Sequence, residues 1–205
     1  MSASCTGSTT RSALDLLPVA LPTPSEARIR FLIIFFGAND AVLPPVSLNP
    51  QHVPLPIFFQ TVHALVSHPL VTAHSPHILL ITPPPIEETV IAQNAADYGE
   101  TRVKRLATNT ALYAQAVRRV GIETGTVVVD LWTAFMNKAG YNPDDPEEAM
   151  PGTKEGGLNE TLRGLLVDGL HLTPAGYMIL FEEVMETIEK VWPEELPDKL
   201  PSLKG

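Results

Sequence analysis

Three short apolar runs constrain this chain more than any other feature. Residues 29–36 (IRFLIIFF), 77–82 (HILLIT) and 126–131 (TVVVDL) are rich in β-branched and aromatic side chains and show little polar alternation. A strand that alternates has one wet face, whereas a strand apolar throughout is buried on both, the usual condition of a parallel sheet. Each run stops at residues that break a strand: Gly37-Ala38-Asn39-Asp40, Pro83-Pro84-Pro85, and Asp130-Leu131-Trp132. Parallel strands need long crossovers, and the intervening sequence provides them at helical spacing. Residues 57–67 place Phe58, Phe59, Val62, Leu65 and Val66 on one face. Residues 102–120 place Val103, Leu106, Tyr113, Val117 and Val120 along one stripe.

Further helices flank this pattern. Residues 12–21 carry Ala13, Leu16, Leu17 and Ala20 at helical spacing, with Ser8, Thr9 and Thr10 as N-cap oxygens and Pro22 and Pro24 as the stop. The last helix begins at Thr173 with Pro174 in its first turn, a favoured start. Its expected buried stripe is Tyr177, Leu180, Phe181, Val184, Ile188 and Val191. Residues 44–56 and 137–160 read as loops. Strand–helix alternation without repeat or linker predicts one α/β domain over residues 1–192, followed by a frayed proline-rich tail over 193–205. In such sheets ligands sit beyond the carboxyl ends of the strands.

Composition narrows the function classes. The net charge of −9 argues against nucleic acid and anionic membranes, which select basic patches. The longest apolar run is too short to span a bilayer, and the first residues lack the apolar stretch of a signal peptide, so a cytoplasmic location is expected. With one cysteine, Cys5, no intrachain disulfide forms. The histidines at 52, 63, 68, 74 and 77 lack metal-ligand spacing and no phosphate loop is present, so neither metal nor cofactor is expected. A homo-oligomer is compatible with all of this.

Two short motifs carry chemistry. Asp168-Gly169-Leu170-His171 precedes the last helix. Serine hydrolysis needs a histidine to take a hydroxyl proton and a carboxylate to fix its tautomer, and an aspartate three residues before a histidine supplies both within one turn. An isolated D-x-x-H is more often a plain turn, but this one leads into L-T-P-A-G-Y and a capped helix. The second motif, Gly37 to Asp40, places an asparagine amide at a strand end, the donor type that stabilises an oxyanion; its bland alternative is an ordinary Asn-Asp turn.

These motifs resemble the blocks of the SGNH (GDSL-type) hydrolases. The segment from Thr6 to Leu14 is similar to that family's glycine block. Gln51-His52-Val53-Pro54-Leu55, Ile81 to Ile86, Asp130-Leu131-Trp132 and Asp168 to Gly176 resemble segments of the isoamyl acetate-hydrolysing esterase subfamily, in the expected order. The resemblance implies a three-layer α/β/α flavodoxin-like fold and hydrolysis of short-chain, acetate-type esters. It makes His171 the general base, Asp168 its orienting partner, and Gly7 and Asn39 the oxyanion donors. Pro83, Pro84, Pro85, Trp132, Leu170 and the segment 158–166 would line the substrate pocket.

One block has no counterpart. The family's nucleophile is a Gly-Asp-Ser serine ending the first strand, and no Gly-Asp-Ser occurs in these 205 residues. Ser2, Ser4, Cys5 and Ser8 are the nearest hydroxyl or thiol groups, but the family layout puts them at the glycine block, so no nucleophile is assigned. From the family strand order 2-1-3-4-5, the chain is expected to hold strands 3-4-5 alone, N-terminally truncated, with 29–36 as a bare apolar edge. A catalytically inactive relative that binds a small molecule or a protein, or a truncation product, is the alternative reading.

Overall fold

The computed structural model describes residues 8–44, 51–97, 99, 104–145 and 147–199. Three strands, β1 (Phe31–Phe35), β2 (His77–Ile81) and β3 (Val127–Val129), form a parallel sheet in the order β1-β2-β3. Phe31 lies opposite His77 and Phe35 opposite Ile81; Leu79 lies opposite Val127. The strands and their direction are as the apolar runs predict, and β1 is an edge of the described sheet. The helices are α1 (Thr10–Ala20), α2 (Leu55–Ser67), α3 (Pro69–Thr72), α4 (Glu88–Asp97), α5 (Ala107–Thr124), α6 (Leu131–Lys138), α7 (Glu160–Leu165) and α8 (Pro174–Val191).

Alternation along the strands divides the core between two faces. Ile34 and Leu80 join Phe58, Val62, Leu65, Tyr113, Val117 and Val120 in a cluster shared with α1, α2 and α5. Leu79, Ile81 and Val129 face the other way, onto Leu131, Phe135, Leu162, Leu165 and Ile179 of α6, α7 and α8. Capping fixes several helix starts. Thr9 caps α1 reciprocally with Ser12, Asp130 caps α6, and Thr173 caps α8 ahead of Pro174. Gly125, with φ 66°, closes α5 in the left-handed region that glycine enters freely.

Several expectations are corrected. The central helix does not begin at Arg102: residues 104–106 are irregular, α5 starts at Ala107 and runs on to Thr124; Val103 lies outside the described residues. The third strand ends at Val129, because the Asp130 side chain accepts the Thr133 N–H and starts α6. Helices α3, α4, α6 and α7 are additional to the expected elements, α6 and α7 reaching into the two ends of the stretch 137–160 read as loop. The expected stripe of α8 is only partly buried. Leu180, Val184 and Ile188 pack on the core, while Tyr177, Phe181 and Val191 are exposed. The tail is not frayed at its start. Pro193–Glu195 form a 3-10 turn, and Glu195 is buried in an ion pair with Arg30 and a 3.3 Å contact to His77 Nε2. Trp192 packs on the same His77 ring, 4.4 Å between centroids.

Candidate active site

The turn after β1 is locked from below. Gly37 has φ 117°, and a Cβ there would lie 2.9 Å from Cγ of Pro83, so the turn needs a residue without a side chain. Asp40 is fully buried and accepts hydrogen bonds from the Thr10 N–H (2.9 Å), the Thr10 hydroxyl (2.6 Å) and the Gly37 N–H (3.2 Å). Burial pushes its carboxyl above the ordinary value, against the pull of those donors. The first turn of α1 is thereby tied to the turn that carries Asn39. Asn39 Nδ2 donates to the Ser8 carbonyl (3.2 Å), and its Oδ1 accepts from Arg105 Nη2 (3.4 Å). Arg105 also donates to the Ala38 carbonyl. Gly7, the other expected oxyanion donor, lies outside the described residues.

The imidazole–carboxylate turn is built at the other end of the chain. Asp168 Oδ2 meets His171 Nδ1 at 2.7 Å, while Oδ1 accepts the backbone N–H of His171 (2.8 Å) and of Leu170 (3.0 Å). Partial burial raises the Asp168 carboxyl, but the N–H donors of His171 and Leu170 and the imidazole outweigh it and hold the pKa below the ordinary value. The imidazole itself is 72% exposed.

This turn docks onto the segment that follows β2. The Glu87 N–H donates to the Gly169 carbonyl (2.9 Å), and Asn94 of α4 donates to the Asp168 carbonyl (3.3 Å). Gly169 has φ 83°, and a Cβ there would come within 2.6 Å of the Glu87 carbonyl, so only glycine allows this approach. Glu87 is fully buried, its carboxylate accepting the Thr89 and Asn159 N–H groups. The Asn39 turn follows the carboxyl end of β1, and the His171 turn docks beyond the carboxyl end of β2. Arg105, in the irregular stretch before α5, relates the two: it binds the Ala38-Asn39 turn, and the charge of Asp168 acts on it.

The residues expected to line a pocket fare differently. Pro83 and Pro84 are buried in the body of the fold. Trp132 is half-buried between the Arg118 guanidinium, 5.2 Å from its ring, and Tyr141, and its buried Nε1 has no hydrogen-bond partner among the described residues. Leu170 is half-buried in the catalytic-type turn itself. Leu162, Leu165 and Leu166 of the segment 158–166 are core residues. Among the described residues no group of three or more His, Cys, Asp or Glu side chains could hold a metal ion. No helix among them is long and apolar enough to cross a membrane. Sequence reasoning missed Arg105, Glu87 and Asn94. A Lys-Arg pair ahead of a helix reads as solvated surface, and nothing local marks the other two.

The comparisons with known proteins agree with this architecture. The GDSL-like lipase/acylhydrolase family profile matches residues 1–179. A GDSL esterase/lipase of Arabidopsis thaliana is 34% identical, over 95% of this chain and 75% of that protein. The isoamyl acetate-hydrolyzing esterase of Saccharomyces cerevisiae is 29% identical, over 95% of this chain and 70% of its own length. Among solved structures, an acetyl-xylooligosaccharide esterase of Geobacillus has a TM-score of 0.60 at 22% identity, covering 91% of this chain and 70% of that one. A lipase/acylhydrolase of Enterococcus faecalis has a TM-score of 0.56 at 22% identity, covering 90% and 72%. Family match and parallel α/β architecture converge: this chain belongs to the GDSL-like lipase/acylhydrolase family, whose members are carboxylic ester hydrolases.

Proposed function

We propose that this site serves the hydrolysis of short-chain, acetate-type carboxylic esters by a Ser-His-Asp mechanism. Here His171 is the general base, Asp168 its orienting carboxylate and Asn39 an oxyanion donor. The observation that carries the reading is the 2.7 Å bond from His171 Nδ1 to Asp168 Oδ2, on an imidazole that is largely exposed. A carboxylate on Nδ1 fixes the proton there, so Nε2 is free to accept the proton of an attacking hydroxyl. As the imidazole becomes imidazolium, the same carboxylate stabilises it. The Asn39 amide then meets the negative charge that collects on the ester oxygen. One such donor is worth about 10²–10³ in rate. The acetate preference is supported by the resemblance to enzymes named for isoamyl acetate and for acetylated xylooligosaccharides. Pro83, Pro84, Trp132 and Leu170 would bound the ester's acyl and alcohol groups, with the buried prolines as backing rather than contact.

The nucleophile is the open position in this scheme. Ser8 is the hydroxyl residue whose backbone the structure puts beside Asn39, through the 3.2 Å bond from Nδ2. The alternative is a chain that binds small esters or a protein without turning substrate over. Hydrolysis of p-nitrophenyl acetate by the purified chain, set beside His171→Ala and Ser8→Ala, separates them. A rate that falls with His171→Ala supports the hydrolytic reading, and one that also falls with Ser8→Ala makes Ser8 the attacking group. Rates equal in all three proteins overturn it in favour of the alternative.

A further inference from the structure

Asn39 can act as an oxyanion donor only if its nitrogen, not its oxygen, faces the reacting group. Terminal amides rotate easily, and the two ends differ only in their hydrogen-bond sense. Both ends are engaged here: Oδ1 receives the Arg105 guanidinium, and one N–H of Nδ2 goes to the Ser8 carbonyl. Rotating the amide would set its NH2 against the guanidinium, donor against donor, and its oxygen against the Ser8 carbonyl, acceptor against acceptor. We propose that Arg105 is the positioning residue of this site, holding the Asn39 amide in the one orientation that keeps its second N–H available to an oxyanion. The proposal rests on the reading of Asn39 given above and extends it to a residue outside the family-like blocks.

Three observations support the assignment. Arg105 grips the turn at two points, the Ala38 carbonyl and Asn39 Oδ1, which is the forked use of a planar guanidinium that lysine cannot copy. The guanidinium sits in a largely desolvated place, where burial lowers its pKa against the attraction of Asp168 while leaving it charged at any physiological pH. A positive charge donating into an amide oxygen also draws electron density from the nitrogen, so the remaining N–H becomes a stronger donor. The surrounding chain fixes the guanidinium's origin. Leu43 N–H donates to the Lys104 carbonyl at 2.9 Å, Asn109 Nδ2 to the Ala41 carbonyl at 2.6 Å, and the Ala107 N–H to Glu88 Oε1 at 2.7 Å. Arg105 is therefore presented to Asn39 by a stretch already anchored to the same loop.

The test reads the amide directly. In 1H–15N spectra of the labelled chain, the Asn39 NH2 pair is identified by its loss in Asn39→Asp. Arg105→Met should shift that pair and speed its exchange with solvent, and Arg105→Lys should restore the slow exchange in part, since one donor and the charge remain. Asn109→Ala loosens the same loop without touching the amide and should leave the pair in place. An Asn39 pair unmoved in Arg105→Met overturns the proposal, and so does one that moves equally in Asn109→Ala, which would make Arg105 a loop anchor only. If Arg105→Met does not fold, Arg105→Lys decides: it must shift the pair, because it gives up one arm of the fork. Ester hydrolysis is scored separately on the same samples. An inactive chain with the amide response intact sinks the hydrolytic reading and leaves the positioning role standing.

Discussion

The two faces of the sheet are finished to different degrees. On the face covered by α1, α2 and α5, Ile34, Phe58, Val62, Tyr113 and Val120 are all essentially closed to water. On the other face, α8 covers Leu79, Ile81 and Val129 but stops short of the edge strand. Ile33 of β1 is 53% exposed, and Tyr177 and Phe181 of α8 are 60% and 59% exposed. Scattered exposed apolar residues are ordinary, whereas large ones on the edge strand of the described sheet and on the helix beside that face are not. The contrast teaches that β1, uniformly apolar, is written for burial on both faces while the described residues bury one.

Substitutions on the two faces should separate them. Phe58→Ala, in the closed cluster against Tyr113, should cost about 3–5 kcal/mol in denaturant unfolding; a loss under about 1 kcal/mol would mean that this face yields to solvent after all. Thr10→Val removes the hydroxyl from buried Asp40 while keeping the side-chain shape, and should cost about 1–3 kcal/mol. Ile33→Thr with Phe35→Thr on the open face should stay within about 0.5 kcal/mol per site. The same pair should lower self-association in analytical ultracentrifugation, and a large stability loss would show that those residues are covered in solution.

The smallest effect is one of pH. The Asp40 pKa is raised, so the stability it confers is complete below the unfolded carboxyl range and fades as pH rises through its folded value. The Asp168 pKa is lowered, so its contribution is complete above that range and fades as pH falls through its folded value. Thermal midpoints of Asp40→Asn and Asp168→Asn, each compared with the unaltered chain across the acid range, should therefore diverge with opposite slopes. Parallel slopes would contradict the two environments described.

Much of this was legible in sequence, for physical reasons that differ by residue. The strands announced themselves because their apolar runs lack polar alternation and end at strand-breaking residues, although β1 is closed on one face only. Thr173-Pro174 announced α8 because capping chemistry is local. What escaped is long-range. Helix α4 buries no residue fully, so it leaves no stripe to read. Tyr177 and Phe181 fit a buried stripe by period, yet the period cannot say whether a neighbouring layer arrives to cover it. Asp168 and His171 form their pair within one turn, so spacing sufficed. The partners of Asn39 come from residues 8 and 105, and no spacing rule links those to position 39.

The two oxygens of Asp168 do separate jobs, one gathering backbone N–H groups and the other holding the imidazole. An amide at position 168 could keep its oxygen on the backbone and so preserve the loop's shape, but its NH2 would then face the ring. The imidazole would have to answer with a lone pair on Nδ1, which sends its hydrogen to Nε2. Such a protein would be folded and correct in outline yet carry its proton on the wrong side of the ring, an error of bookkeeping rather than of architecture.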